Sequence, residues 1–345
     1  MRIFIVTALF VSAFFTYILL FPPSFLHSEH VYRDDEQRGL DEQIVINFSH
    51  VVAENTPKGL AAQKFAKVVN ERSDGKVKVE VFSNSVLYSD TEEVDALRRN
   101  DVQMIAPSFS KLADLNEDWL LFDLPFMFKD EGEVEAALNG QIGKSLQASL
   151  KKENLKGLAF WNNGFKQMTS SQKKLAVPDD FKGQRFRIMP SEVIKKQFDL
   201  LDAKPTIAPF NRVYESLEKQ EFDGQENTIS NIYSKRLYML QRYMTISNHG
   251  YLGYAVMMDE SYWNSLPPDV QLLLSNAMEE TTAWMWEHSK GMNDKQLEKI
   301  KNESSIQVHY LTEQERDKWK QRFKPLYTEF QKRLTKDIVE ETYKK

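Results

Sequence analysis

Cysteine is absent from all 345 residues, and its absence excludes several kinds of site. The chain can form no disulfide, no thiolate metal site, no cysteine nucleophile and no lipoprotein anchor. Glycine is scarce, at 13 residues, which disfavours the loops that cradle nucleotide phosphates. Strong positive charge is lacking too, since 45 basic residues face 50 acidic ones, and this argues against a nucleic-acid partner.

The motifs of common enzymes and metal centres are missing as well. None of the six histidines belongs to a pair with metal-binding spacing. The sequence contains no G-x-S-x-G motif, phosphate-binding loop or dinucleotide fingerprint. We therefore expect no enzymatic activity, no metal and no cofactor. Any anion that this chain binds must be held by locally placed cations, because its formal net charge is -5.

A hydrophobic run occupies the N-terminus. Arg2 precedes the apolar residues Ile3 to Phe21, a run close to the length that spans a bilayer. No clear small-x-small cleavage site follows this run. We expect residues 1–22 to be a signal or signal-anchor segment and residues 23–42 to be a polar tether. The protein is then extracytoplasmic, and it is either released or held at the membrane by an uncleaved helix.

Strand and helix patterns alternate from residue 43 onward. Ile44 to Phe48 is typical of a strand, and Thr56 followed by Pro57 is typical of a helix start. Val77 to Val81 alternates apolar and charged side chains, as a half-buried strand does. This alternation predicts an α/β layer architecture.

Capping patterns and one long uninterrupted segment predict further helices. Asp90 and Glu93 have the spacing of a capping box, as do Thr312 and Glu315. Asp269 to about Asn302 contains no proline and has apolar residues at helical spacing. A helix of this length reaches roughly 50 Å, so we expect it to brace two lobes.

Two cations stand in positions where they could bind an anion. Arg187 lies at a predicted strand end, where its guanidinium could form a two-pronged salt bridge to a carboxylate. The alternative is a surface or interlobe salt bridge. Lys58 would fall in the first turn of a helix, where a cation opposes the helix dipole. Its alternative is a solvated lysine.

Two further polar residues follow predicted strands or turns. Lys166 comes after the turn-like segment Asn162 to Phe165, and loops after strands often bind ligands in α/β folds. Its alternative is a solvated loop lysine. Asn227 follows a predicted tight turn after the strand-like segment Glu221 to Asp223, and its amide could donate to a carboxylate. Asn227 could also cap the helix from Thr228 onward.

Four ordered segments resemble one known family. Together they make nearly all of residues 43 to 340 similar to the DctP-type solute-binding proteins of TRAP (tripartite, ATP-independent) transporters. The segments are Phe48 to Gly59, Phe160 to Met168, Gly183 to Arg187 and Asp223 to Asn227.

The resemblance implies two α/β lobes, joined by crossing strands and a long helix, that close over a ligand. By this resemblance, lobe I comprises residues 43–163 plus about 253–290. Lobe II comprises residues 164–252 plus about 291–345.

The resemblance also implies a C4-dicarboxylate ligand, namely succinate, fumarate or malate. The family's carboxylate-binding arginine falls on Arg187, its pocket asparagine on Asn227, and a second family arginine is replaced by Lys166. We hypothesise that Arg187 and Asn227 hold one carboxylate while Lys58 and Lys166 serve the other. The expected ligand-binding set also includes His50, Ser108, Phe210 and His249, although the aromatic could be core and His249 a satisfied buried histidine.

Two partners are compatible with this ligand. The protein either delivers dicarboxylates to TRAP membrane subunits or presents them, as a co-sensor, to a sensor kinase or another carrier. Arg212 replaces an acidic residue that is common in the family and mildly favours the sensory alternative. Neighbouring genes would distinguish the two partners.

Overall fold

The computed structural model describes residues 43–343 of the chain. The predicted signal or anchor segment, 1–22, and the predicted tether, 23–42, lie outside the described residues. Between residues 43 and 343, no helix is both long enough and apolar enough to cross a membrane. Strands and helices alternate along the chain and give the expected α/β architecture.

One sheet contains nine strands within the described residues. The strands are β1 (Ile44–Ser49), β2 (Val77–Phe82), β3 (Met104–Ile105), β4 (Leu155–Ser170), β5 (Arg185–Ile188), β6 (Lys204–Ile207), β7 (Gly224–Thr228), β8 (Tyr243–Asp259) and β9 (Gln307–Tyr310). The α-helices in this part of the chain are α1 (Pro57–Arg72), α2 (Glu93–Arg98), α3 (Glu131–Asn139), α4 (Gln141–Lys152), α5 (Glu192–Leu200), α6 (Val213–Glu218), α7 (Ile229–Ser234), α8 (Glu260–Ser265), α9 (Pro268–Glu303), α10 (Glu313–Phe330) and α11 (Lys336–Tyr343).

The sheet consists of two groups of parallel strands joined by two long antiparallel strands. β2, β1 and β3 form one parallel group, and β7, β5 and β6 form the other. The crossing strands β8 and β4 lie between the groups and pair with each other. β3 pairs with β8 and β7 pairs with β4, so each group is attached to one crossing strand. This is the two-lobed arrangement that we expected.

Helix α9 is the long brace that the sequence predicts. Its 36 residues give it a length of about 54 Å. It packs against α1, which belongs to the first strand group, and against α7, which belongs to the second. Trp161 Nε1 and Asn162 Nδ2 of β4 donate hydrogen bonds to Thr282 Oγ1 and Ser289 Oγ of α9, at 3.1 and 2.8 Å. The helix is therefore attached to a crossing strand as well as to both groups.

Two of the predicted helix starts have the expected caps. Thr56 Oγ1 accepts a hydrogen bond from Gly59 N at 3.1 Å, and Pro57 is the first residue of α1. Thr312 and Glu315 form a complete capping box at the start of α10. The residue that precedes α2 is Glu92, so the capping box predicted for Asp90 and Glu93 is wrong.

Two predictions around the crossing strands are also wrong in detail. The segment Asn162 to Phe165 is not a turn but an irregular part of β4, with a register shift between Asn162 and Gly164. Gly164 has φ +98° there, which suits glycine, and β8 pairs with β4 on both sides of the shift. The strand predicted at Glu221 to Asp223 begins three residues later, at Gly224, so Asn227 lies inside β7. The lobe boundaries given above stay predictions.

Gly59 lies in the first turn of α1, where a Cβ would meet the backbone. It would lie 2.4 Å from Ala53 O and 2.5 Å from Glu54 O. We expect Gly59→Ala to lower the free energy of unfolding by about 1–3 kcal/mol, because backbone atoms would have to shift. Urea unfolding followed by circular dichroism measures the change.

The control is Gly291→Ala in α9, where no atom of the described part of the chain lies within 4 Å of the new Cβ. We expect this variant to be more stable than the natural chain by about 0.5–1 kcal/mol, because alanine favours a helix interior. Equal stability of Gly59→Ala and the natural chain would contradict the packing argument.

Candidate ligand-binding site

One cavity is lined by segments that follow the carboxyl ends of all six parallel strands. The lining includes Val52 after β1, Glu93 after β2, Ser108 after β3, Met189 after β5, Phe210 after β6 and Asn231 after β7. Ligands of α/β sheets bind outside the carboxyl ends of the strands, where the strand order changes. The topology therefore places a binding site between the two strand groups.

Arg187 carries the main positive charge on the cavity wall. It belongs to β5 and is 1% exposed. Its Nε donates to Ala208 O at 2.9 Å, whereas neither Nη1 nor Nη2 has a hydrogen-bond partner among residues 43–343. Burial lowers the pKa of Arg187, because desolvation disfavours its charged form. Two unpartnered N–H groups at a cavity are suited to a carboxylate, which accepts both in parallel.

Asn227 lines the same cavity. Its Oδ1 accepts hydrogen bonds from Thr228 N at 3.1 Å and from Asn231 Nδ2 at 2.8 Å. Because the oxygen is already used, this network leaves the Nδ2 donors for a ligand. The residue that precedes α7 as its N-cap is Thr228, so the capping alternative for Asn227 is wrong.

Lys58 is buried against the wall of the cavity, so the solvated alternative for this lysine is wrong. Its Nζ donates to Ala106 O at 2.8 Å and lies 3.8 Å from the centroid of the Tyr254 ring, which lines the cavity. Burial lowers the pKa of Lys58 to about 8, although Glu93 and Asp90 favour its charged form. Lys58 therefore adds a second positive charge close to the cavity.

The sequence did not predict three charged residues of the site, namely Asp90, Glu93 and Lys111. Asp90 Oδ1 accepts a hydrogen bond from Phe210 N at 3.1 Å, and Asp90 Oδ2 lies 2.8 Å from Lys111 Nζ. Glu93 is 1% exposed, lines the cavity, and neither of its carboxyl oxygens has a partner in the described part of the chain. The spacing of Asp90 and Glu93 was a usable signal, but we interpreted it as a helix cap. Lys111 carried no local signal.

Lys166 belongs to a separate buried network. Its Nζ lies 2.6 Å from Glu226 Oε1, and His249 Nε2 lies 2.8 Å from Glu226 Oε2. Ser247 Oγ lies 2.7 Å from His249 Nδ1 and completes the network. Burial acts to raise the pKa of Glu226, but Lys166 and His249 outweigh it and hold this pKa at about 2. The structure places Lys166 and His249 in this network and not on the cavity lining.

The remaining predicted residues divide between the lining and the layer behind it. Ser108 and Phe210 line the cavity together with Arg187 and Asn227. His50 is fully buried outside the lining, and neither ring nitrogen has a hydrogen-bond partner in the described range. Burial, with the nearby Lys58 charge, lowers the pKa of His50 to about 3, so its ring is neutral near pH 7. Direct ligand contact by any of these residues stays a prediction.

The arrangement can bind an anion between two lobes. Among residues 43–343, no group of three or more histidine, aspartate or glutamate side chains could hold a metal ion. Two strand groups, two crossing strands, a bracing helix and a central cationic cavity define a solute-binding protein.

Comparison with known proteins agrees with this class. The chain belongs to the DctP family, described as bacterial extracellular solute-binding protein, family 7, whose sequence profile matches residues 48–333. This family is a class of transport proteins and not an enzyme class.

Individual relatives are similar over most of the chain. A protein of Bacillus subtilis (strain 168) named C4-dicarboxylate-binding protein DctB is 53% identical over 308 residues, covering 89% of this chain and 88% of the relative. A TRAP periplasmic solute-binding protein of Sulfurospirillum deleyianum, solved with bound succinate, is 38% identical with a TM-score of 0.84. That match covers 87% of this chain and 98% of the solved one. A TRAP periplasmic solute-binding protein from Pseudomonas aeruginosa, solved with bound L-malate, is 36% identical with a TM-score of 0.80. That match covers 83% of this chain and 99% of the solved one.

The buried pair of Lys166 and Glu226 yields a stability prediction. Glu226→Gln leaves the Lys166 charge buried without a counter-charge, so we expect a loss of about 3–5 kcal/mol in the free energy of unfolding at pH 7. Glu215→Gln is the control, because it removes only exposed ion pairs, with Lys219 and Arg212, and should change nothing measurable.

The loss in the free energy of unfolding caused by Glu226→Gln should also depend on pH. The pKa of Glu226 falls from 4.5 to about 2 on folding, so its contribution is complete above about pH 4.5 and disappears as pH falls towards 2. The difference between the natural chain and Glu226→Gln should therefore shrink below pH 4.5. Urea unfolding at pH 7, 5, 4 and 3 measures this trend, and a constant difference would contradict it.

Proposed function

We propose that this protein captures C4-dicarboxylates such as succinate, fumarate and malate outside the cytoplasm and delivers them to a TRAP-type membrane transporter. The observation that carries the proposal is that Arg187 lines the cavity while its Nη1 and Nη2 groups have no hydrogen-bond partner among residues 43–343. An anion with a planar carboxylate satisfies both groups, and the adjacent Lys58 charge favours a second negative group on the same ligand.

The relatives support the same ligand class. The Bacillus subtilis relative is named for C4-dicarboxylate binding, and the two solved relatives hold succinate and L-malate. These ligands have two carboxylates on a short carbon chain, which fits a cavity that is lined by Arg187 and has the Lys58 charge beside the lining residue Tyr254. The family supports TRAP membrane subunits as the partner. The sensory alternative predicts the same ligand and stays a prediction.

The geometry refines our hypothesis for the ligand contacts. Arg187 and Asn227 both line the cavity and present donors to it, so we assign one carboxylate to this pair. Lys58 lies behind Tyr254 and supports the other carboxylate through its charge. Lys166 is paired with Glu226, and this geometry does not favour it as a direct ligand contact.

Residues 1–22 would export the chain, and the lobes would then close over the ligand outside the cytoplasm. Retention by an uncleaved N-terminal helix is the second possibility for this segment. Detecting the full-length chain in the membrane fraction of cells that express it distinguishes retention from release.

Isothermal titration of the full chain, purified in a non-ionic detergent, tests the proposed ligand class. The panel is succinate, fumarate, malate, α-ketoglutarate and sialic acid. We expect tight binding confined to the C4 acids. Binding of none of them, by protein shown to be folded and free of carried-over ligand, would refute the proposal.

Arg187→Ala should weaken succinate binding by about 2–5 kcal/mol, which is roughly 30-fold to several thousand-fold in affinity. The matched control is Arg185→Ala on the same strand, because Arg185 is exposed and pairs with Asp223 instead of lining the cavity. We expect the control to bind like the natural chain. Unchanged affinity of folded Arg187→Ala would remove Arg187 from the site.

A further inference from the structure

Glu93 is an acid on the wall of a cavity that otherwise suits an anion. Its side chain is buried, it lines the cavity beside Arg187 and Asn227, and both of its oxygens lack hydrogen-bond partners among the described residues. A buried carboxylate without partners is costly, and an anionic ligand placed next to it raises that cost further. A structural salt bridge does not explain why an acid is buried on this wall, so another role for Glu93 is needed.

The charged and titratable groups around Glu93 come from every neighbouring element. They are Lys58 of α1, Asp90 before α2, Lys111 after β3, Arg187 of β5 and Tyr254 of β8. Lys58 directs its ammonium to Ala106 O and to the Tyr254 ring, and Lys111 pairs with Asp90. Neither lysine is therefore paired with Glu93.

The charge balance of the set depends on the protonation state of Glu93. Three cations, Lys58, Lys111 and Arg187, face the acids Asp90 and Glu93. If both acids are ionised, the excess is one positive charge, which matches a monoanion. If Glu93 is neutral, the excess is two, which matches a dicarboxylate dianion.

We propose that Glu93 is a ligand-binding residue that takes up a proton from solvent when the dicarboxylate binds and donates the resulting O–H to a ligand carboxylate. This inference rests on the proposed function and deepens it. The uptake balances the ligand's second negative charge, and it replaces repulsion between two carboxylates by a hydrogen bond. Burial raises the pKa of Glu93 to about 7, against the opposing effect of Lys58.

Proton uptake is the first measurement. Titration of the full chain with succinate at pH 7, in two buffers of different ionisation enthalpy, gives the number of protons taken up per ligand. We expect uptake of a fraction of one proton, because a group with a pKa near 7 is only partly protonated before binding and fully protonated after it. Lys58, with a pKa of about 8, is already about nine-tenths protonated at pH 7 and adds little. Binding without uptake would overturn the inference and leave the proposed function intact.

Infrared difference spectroscopy then locates the proton. Binding of succinate should produce the C=O band of a protonated carboxyl group. This band should not move when both ligand carboxyl carbons are ¹³C, because it belongs to the protein. It should disappear in Glu93→Gln and persist in Glu92→Gln, a control at the neighbouring, exposed acid. A band that moves with the ligand label, or one that persists in Glu93→Gln, would overturn the inference.

Affinity gives a further check on the role of Glu93. Glu93→Gln should bind succinate within about fivefold of the natural chain at pH 7, because its amide keeps a neutral donor at the same place. A loss of a hundredfold or more in folded protein would show that the charged form is required and would overturn the inference. If Glu93→Gln does not fold, Glu93→Asp replaces it, and the carboxyl band should then shift instead of disappearing. Absence of succinate binding by the natural chain would overturn the proposed function together with this inference.

Discussion

Arg187 is a fully buried guanidinium whose Nε is satisfied by Ala208 O while its two other nitrogens face a cavity. Removing such a charge from water is expensive, and the cost is recovered only when an anion meets the fork of N–H groups. The surrounding structure is arranged to make this possible. β5 positions the side chain, the main chain at Ala208 fixes its orientation, and the Lys58 charge lies beside the cavity that Asn227 also lines. The cavity is therefore suited to a bound anion.

The crossing strands give this arrangement its rigidity. β4 and β8 carry Lys166 and His249, which meet at Glu226 of β7. All three side chains are buried, so the network fixes the position of the strand that also carries Asn227. A lysine that sequence reasoning assigned to the ligand therefore holds the neighbouring strand in place. The positive charge of Lys166 is neutralised within its own network, and the cavity depends on Arg187, Lys58 and Lys111 for its field.

Much of the fold follows from local sequence, whereas much of the site does not. Thr56 with Pro57 and the uninterrupted pattern of α9 are local signals, and the structure confirms both. The prediction for Asn162 to Phe165 was wrong because an Asn-Gly pair indicates a turn, whereas pairing with β8 on both sides keeps the segment extended with a bulge. Arg187 was predicted because a guanidinium at a strand end can pair with a carboxylate and because the family's carboxylate-binding arginine falls on this position.

The roles of Glu93 and Lys111 at the cavity were not predicted, since only the folded chain shows that both side chains are buried and close to other charges. Asp90 was misread for the same reason, because its spacing to Glu93 matched a helix cap that the chain does not form. Burial and partner choice are properties of the tertiary structure, and a single sequence carries no direct record of them.

The contact between Asp90 and Phe210 N joins a segment after β2 to a segment after β6, and these strands belong to different groups of the sheet. Its donor is a main-chain N–H, which every amino acid except proline supplies. The side chain at position 210 meanwhile lines the cavity. Substitutions there can reshape the space beside the ligand while the contact across the cleft persists. Related proteins can therefore differ in the side chain at position 210, and so in ligand selectivity. The hydrogen bond that joins the two strand groups would stay the same.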